Sequence, residues 1–124
     1  MEGLTYNSLK LFGESINYRE KLNQLREQVI PKTFVVDIDG TICTQEEDVN
    51  NCQPIQKAID LVNMCHNEGT KITIHTSRPE EIRNITEQQL KDWGVKYDEL
   101  IMDKLKYDCW IDDKAINVYD WVRI

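Results

Sequence analysis

The stretch FVVDIDGTIC, residues 34–43, decides how the chain is read. An apolar, β-rich run leads into Asp37, Ile38, Asp39, Gly40 and Thr41. Side chains two apart on a strand point the same way, so Asp37 and Asp39 share a face. Carboxylates beside a core are costly unless a cation or a proton compensates them. The stretch therefore asks for positive charge, from elsewhere in the chain or from a ligand.

Working outward, TFVVDI (33–38) has the continuous apolar character of a strand covered on both faces. Residues 44–53, TQEEDVNNCQ, read as a polar loop. Pro54 fits the first position of a helix whose apolar face is Ile55, Ala58, Ile59, Val62 and Cys65, closed by Gly69. KITIHT (71–76) is a second buried strand. Pro79-Glu80-Glu81 opens another helix with its acids in the first turn, and Gly94 ends it. A third strand falls near Tyr97–Met102 and a fourth at YDCWID (107–112), followed by a short helix around Lys114–Tyr119 and the terminal WVRI. Strands alternating with helices give a parallel sheet with right-handed crossovers. Ahead of it, Asn17 and Glu20 form a capping box for a helix bearing Tyr18, Leu22, Leu25 and Val29, stopped by Pro31. The reading is an N-terminal helical extension over residues 1–32, packed on the core or on a partner subunit, and one core over 33–124.

In an open parallel α/β sheet, functional groups collect at the carboxyl ends of the strands. Strand one ends Asp37-x-Asp39-Gly40-Thr41, and strand two ends Thr76-Ser77-Arg78. Lys104 and Lys106 follow strand three, and Asp112-Asp113 close strand four. Four carboxylates on one rim repel each other without a cation, and an oxygen-only ligand set suits magnesium together with a substrate phosphate. Lys104 as a point charge and Thr76 or Ser77 as a hydroxyl donor supply the rest of a phosphate cradle. A carboxylate beside a bound phosphoryl group can attack it, and a second carboxylate two residues on can move the protons.

Taken in order, FVVDIDGTI, ITIHTSR, the lysine loop and WIDD resemble the four motifs of the haloacid dehalogenase-like superfamily of phosphohydrolases, over roughly residues 33–117. KLKYDCWIDDKAIN looks further like small members associated with capsule and lipopolysaccharide assembly. The resemblance implies a three-layer Rossmann-like α/β core with a small central parallel sheet. It implies Asp37 as nucleophile and magnesium ligand, and Asp39 as general acid/base with its carbonyl on the metal. Ile38, Asp39, Thr76, Ser77 and Lys104 bind the phosphoryl group in this reading, and Asp112 and Asp113 hold the metal directly or through water. Leu105 stands where those relatives commonly have proline, which leaves Lys106 as an alternative to Lys104. TSRP replaces the common TARG, so Arg78 matches without a defined role.

Neither residues 44–53 nor residues 77–95 can contain a cap domain, so the rim is open unless a second copy covers it. The N-terminal helix and Trp121-Val122 are candidates for that homo-oligomer contact. The implied activity is a magnesium-dependent phosphomonoesterase acting on a sugar phosphate or similar polyol phosphate in surface-polysaccharide synthesis. The alternatives are a nucleotide or polynucleotide-end phosphatase and a non-catalytic binding domain of the same fold.

The rest of the chain narrows the class. With 124 residues it builds one core, and a net charge of −7 disfavours a nucleic-acid partner. The four cysteines, Cys43, Cys52, Cys65 and Cys109, show no CxxC spacing and read as reduced thiols, neither a disulfide frame nor a zinc site. No secretory leader and no apolar run of membrane-spanning length is evident, so the expected location is cytoplasmic. The sequon Asn84-Ile85-Thr86 is then without consequence. His75, inside a strand, and the three tryptophans read as packing residues.

Overall fold

A computed structural model describes residues 32–122. The helix expected around Tyr18 to Val29 lies outside the described residues. Strand β1 covers Thr33–Val36, helix α1 Gln56–Asn67 and strand β2 Lys71–His75. Helix α2 follows over Arg83–Asp92, strand β3 over Glu99–Ile101 and helix α3 over Val118–Trp121. Backbone contacts divide the chain between Lys106 and Tyr107. The sheet with α1 and α2 belongs to the first unit, and α3 to the second.

In the first unit the three strands are parallel in the order β1-β2-β3. Both crossovers step the same way across the sheet, so the right-handed rule puts α1 and α2 on one face. Burial agrees. Register brings Val36, Ile74 and Leu100 side by side and Phe34 beside Ile72, and Val36, Ile72, Ile74 and Leu100 are all buried. From α1, Ala58, Ile59, Val62 and Cys65 are buried, as their 3- and 4-residue spacing predicts. α2 contributes Thr86 and Leu90. Each fully buried aliphatic side chain stabilises the fold by about 1.5–3 kcal/mol relative to exposure.

The other face departs from expectation. Val35 is 64% exposed and Ile101 39%, so β1 is not covered on both faces among the described residues. β1 is an edge strand of this sheet, and with α1 and α2 on the opposite face no helix among the described residues of this unit covers Val35, although its neighbour Thr73 on the central strand is buried. The described residues thus show an α/β fold with a three-stranded parallel sheet and helices over one face.

Turn chemistry sets the boundaries. Ile55 takes the N-cap of α1 one residue after Pro54, and Gly69 follows its end with φ +99°. Pro79 leads a 3-10 turn, Glu80–Ile82, before α2, and Gly94 follows with φ +70°. Both glycines adopt a left-handed conformation open to them at no steric cost. Asp98 fastens the start of β3: its main-chain N–H donates to Ile72 O at 2.8 Å, and its Oδ2 accepts from Ile72 N at 2.8 Å. His66 Nε2 lies 3.3 Å from the other oxygen.

The second unit holds the largest difference from the sequence reading. The strand expected at 107–112 does not form; the segment is irregular, with Ile111 94% and Trp110 48% exposed. Apolar β-forming residues become a strand only when a neighbouring ladder takes up their N–H and C=O groups, and this segment has none among the described residues. Asp112 instead closes a local turn, its Oδ1 accepting from Lys114 N at 2.8 Å and its Oδ2 from Trp110 Nε1 at 3.1 Å. The last helix accordingly starts at Val118, where Asn117 Oδ1 caps Tyr119 N at 2.9 Å. Trp121 in α3 is buried. No helix among the described residues is long and apolar enough to cross a membrane.

Two measurements test this packing. Ile74→Ala removes a fully buried side chain between β1 and β3 and lowers unfolding stability by about 2–5 kcal/mol in urea denaturation. The Ile72 N–H bond, helped by His66, holds the Asp98 carboxyl below its ordinary value of 3.8. A depressed carboxyl stabilises the fold above its unfolded pKa and loses that contribution as pH falls through the folded value. Urea midpoints therefore drop as pH falls below 3.8 in the wild type, and Asp98→Asn flattens that acid limb.

Candidate active site at the carboxyl ends of the strands

Within the first unit, each strand delivers chemistry where it ends. After β1 the chain makes one tight turn, in which Ile38 O accepts from Thr41 N, Ile42 N and Cys43 N at 3.0, 2.9 and 3.3 Å. Gly40 N donates to Cys43 O at 2.8 Å, with φ +79° at Gly40. A side chain at that φ is strained, so the turn needs glycine. It also leaves Ile38 wholly buried while Asp37 and Asp39 on either side are partly exposed.

Asp37 faces Lys104. Lys104 Nζ lies 3.1 Å from Asp37 Oδ1, and Thr41 Oγ1 donates to Oδ2 at 3.3 Å. Their side chains are 8% and 33% exposed, so the lysine is enclosed and the carboxylate open to solvent. The ladder between β2 and β3 continues past both strands and positions this lysine. Thr76 N donates to Ile101 O at 3.0 Å, Lys104 N to Thr76 O at 2.8 Å and Asp103 N to Arg78 O at 2.9 Å. Asp103 completes the turn in the left-handed region, φ 61°, a conformation that aspartate accepts more readily than most residues. Of the two lysines considered from the sequence, Lys104 therefore reaches Asp37, and Lys106 is exposed.

Asp39 faces Arg78. The guanidinium grips it with two bonds, Nε to Oδ2 at 3.0 Å and Nη2 to Oδ1 at 2.9 Å. Its remaining nitrogen, Nη1, donates to Thr86 Oγ1 at 3.1 Å and Gln89 Oε1 at 2.6 Å, both on α2. Arg78 is 4% exposed, a burial possible only because every edge is bonded. Burial alone lowers a guanidinium pKa; here the hydrogen bonds and charge of Asp39 outweigh it and raise it. The arginine left without a role by the sequence is thus the counter-ion of the second carboxylate. Two thiols join it: Cys43 Sγ and Cys52 Sγ each lie 3.6 Å from Asp39 Oδ1. Burial, and then the nearby Asp39 charge, push both thiols above their ordinary pKa. These cysteines were missed because they are nine apart in sequence, not in a CxxC. Two backbone hydrogen bonds, Thr44 N to Gln53 O and Ile55 N to Ile42 O, both at 2.9 Å, flank the pairing of Cys43 with Pro54 and bring the two cysteines together. All four cysteines are free, as expected, but Cys109 is exposed.

The other expected residues are placed as follows. Thr76 is wholly buried and its Oγ1 accepts from Arg78 N at 3.1 Å, which makes it a support of the arginine turn. Ser77 beside it is partly exposed and is the more open hydroxyl. His75 is half-buried, with its pKa lowered by burial and then by Lys104. The sequon residue Thr86 is fully buried on α2. Asp112 and Asp113 lie in the second unit, where the Lys114 N–H and then the Trp110 indole lower the Asp112 pKa.

The charge question raised by the first stretch has an answer inside the protein: one cationic side chain stands against each carboxylate. The donor sets around the two differ. Asp37 offers a partly exposed carboxylate with the Thr41 hydroxyl beside it, oxygen donors of the kind that fit a hard cation such as magnesium. Asp39 sits among sulfurs and a bidentate guanidinium, which does not.

No protein-family model matches the chain, and no curated protein matches it. Among solved structures it is similar to a structural-genomics target from Vibrio cholerae, with TM-score 0.65 and 24% identity over 75% of this chain and 89% of that one. It is also similar to a chain in the structure of a Pnkp1/Rnl/Hen1 complex, with TM-score 0.54 and 24% identity over 61% of this chain and 29% of that one. At such identities the likeness is one of fold alone, and this chain spans less than a third of the second protein's length.

Arg78→Ala leaves the part-buried Asp39 carboxylate unpaired and strips Thr86 and Gln89 of their donor. Unfolding stability falls by about 3–5 kcal/mol in denaturant titration. Arg78→Lys recovers little of it, because an ammonium cannot make the fork to Asp39 while reaching α2.

Proposed function

We propose that this chain is a phosphomonoesterase of the haloacid dehalogenase-like type, magnesium-dependent, which forms an aspartyl-phosphate on Asp37. The single observation that carries the reading is the Asp37–Lys104 pair, 3.1 Å apart at the ends of β1 and β3. A nucleophilic carboxylate and a cation for phosphoryl oxygens are the two groups that such a transfer needs side by side.

In this mechanism a phosphoryl oxygen takes the place of Asp37 Oδ1 against the Lys104 ammonium, which frees the carboxylate to attack phosphorus. Thr41, whose hydroxyl donates to Oδ2, keeps the carboxylate oriented. The partly exposed Ser77 is the more open hydroxyl to offer a further donor, while buried Thr76 supports the turn through Arg78 N. The Asp37 carboxylate would hold a magnesium ion, which would supply positive charge for the developing phosphoryl oxygens. Asp39, once it has taken a proton from solvent, gives that proton to the leaving oxygen and then, as the carboxylate, takes one from the water that cleaves the intermediate. The fork from Arg78 holds that carboxylate in one orientation for both steps.

The preferred substrate is a sugar phosphate or similar small polyol phosphate, on the sequence resemblance to capsule and lipopolysaccharide phosphatases, with a second copy of the chain covering the open rim. A second reading, a polynucleotide-end phosphatase, is supported by the likeness in fold to a chain of the Pnkp1/Rnl/Hen1 complex.

Phosphate release from sugar phosphates, nucleotides and 3′- or 5′-phosphorylated oligonucleotides, each with and without magnesium, separates these readings. Sugar phosphates are expected to be cleaved best, and only with magnesium. Asp37→Asn lowers kcat by more than roughly 10³-fold, and Lys104→Ala by roughly 10²-fold. Release from oligonucleotides alone favours the second reading. No release from any of them leaves a binding domain, and full activity in Asp37→Asn removes the nucleophile assignment.

A further inference from the structure

We propose that Asp39, Cys43 and Cys52 form a site for a thiophilic dication of the zinc class, held beneath the Arg78 guanidinium. One oxygen and two sulfurs, from the turn after β1 and the end of the following loop, lie within 4.8 Å of one another. Both sulfur-to-oxygen distances are 3.6 Å. In a tetrahedral zinc site with Zn–S near 2.3 Å and Zn–O near 2.0 Å, a sulfur and an oxygen are about 3.5 Å apart. Each sulfur is therefore already at coordination spacing from the oxygen, and the loop pairing between residues 42–44 and 53–55 holds the two cysteine-bearing segments together.

Charge balance favours the exchange. In the metal-free cluster two thiols donate to Asp39 Oδ1, and Asp39 and Arg78 neutralise each other. One dication replaces the two thiol protons, so the cluster stays neutral and two protons leave to solvent. Arg78 remains useful: its Nη2 is 3.7 Å from Cys52 Sγ and 4.0 Å from Cys43 Sγ, placed to donate to the thiolates once they form. Outer donors of this kind orient and steady metal-bound sulfur. Sulfur ligands select zinc over magnesium, so this site and the hard-oxygen side of Asp37 do not compete for one ion. Cys43 and Cys52 are buried, while the Asp39 side chain is 17% exposed and provides the way in.

Metal binding ties up the carboxylate proposed to move protons, so zinc switches the enzyme off. That consequence rests on the proposed function; the binding does not.

The experiment uses the full chain, titrated with cobalt(II) and with zinc. Cobalt is expected to give a thiolate-to-metal charge-transfer absorption with one equivalent bound, and zinc to release two protons per ion into a weakly buffered indicator. Cys52→Ala and Cys43→Ala weaken binding at least tenfold, whereas Cys109→Ser, in the second unit, leaves it unchanged. Zinc-edge X-ray absorption on the wild type, which needs no folded variant, shows two sulfur ligands. A zinc shell of nitrogen and oxygen only, or a cobalt band undiminished in both alanine variants, overturns the site. Phosphate release with added zinc is read separately: binding without inhibition ends the switch and spares the site. Activity with no sulfur-bound metal ends this inference and leaves the phosphatase reading standing.

Discussion

The side chain of Arg78 lies buried between the turn after β1 and helix α2, with Asp39 on one edge and Thr86 and Gln89 on the other. A buried cation is stable only when all its donors are used, and here they bind separate parts of the chain together. Gln89 extends the link, since its Nε2 donates to Val49 O at 2.7 Å in the loop before α1. The arginine thus holds in register the first turn, the long polar loop and the second helix. Removing it affects the position of Asp39 and, through Cys43 and Cys52, the lining of the loop.

Lys104 plays the matching part for Asp37, but at a site more open to water. The two pairs divide the rim into unlike halves. One half has an exposed carboxylate, a cation and hydroxyls, the composition that a phosphate ester and a hard metal need. The other is enclosed, sulfur-lined and clamped, suited to holding one carboxylate still. In the proposed hydrolase, attack belongs to the first half and proton transfer to the second. A soft metal that occupies the second half then interferes with turnover without reaching the nucleophile.

Much of the fold was legible because its signals are local. The spacing of Ala58, Ile59, Val62 and Cys65 declares α1, and Gly69 and Gly94 mark the helix ends through backbone freedom alone. Asp37 and Asp39 stand out because carboxylates at the end of an apolar strand demand a partner. The segment 107–112 misled for the same reason: its residues favour a strand, but a strand requires a neighbour, and propensity carries no information about one. The exposed Val35 is a similar case, since a continuous apolar run does not reveal whether its strand is central or at an edge.

By itself the sequence determined the order of elements from β1 to β3, the turn on Gly40 and the collection of Asp37, Asp39, Thr76, Ser77, Arg78 and Lys104 at strand ends. These follow from periodicity and from residues whose backbone or charge preferences act within a few positions. Only the tertiary structure decided which cation meets which carboxylate. Lys104 reaches Asp37 because the β2–β3 ladder runs on to residue 104, and Arg78 reaches Asp39 because α2 takes its other edge. It alone brought Cys43 and Cys52 onto Asp39, through loop hydrogen bonds between residues about ten apart. Such pairings depend on distances across the fold, which no local pattern encodes.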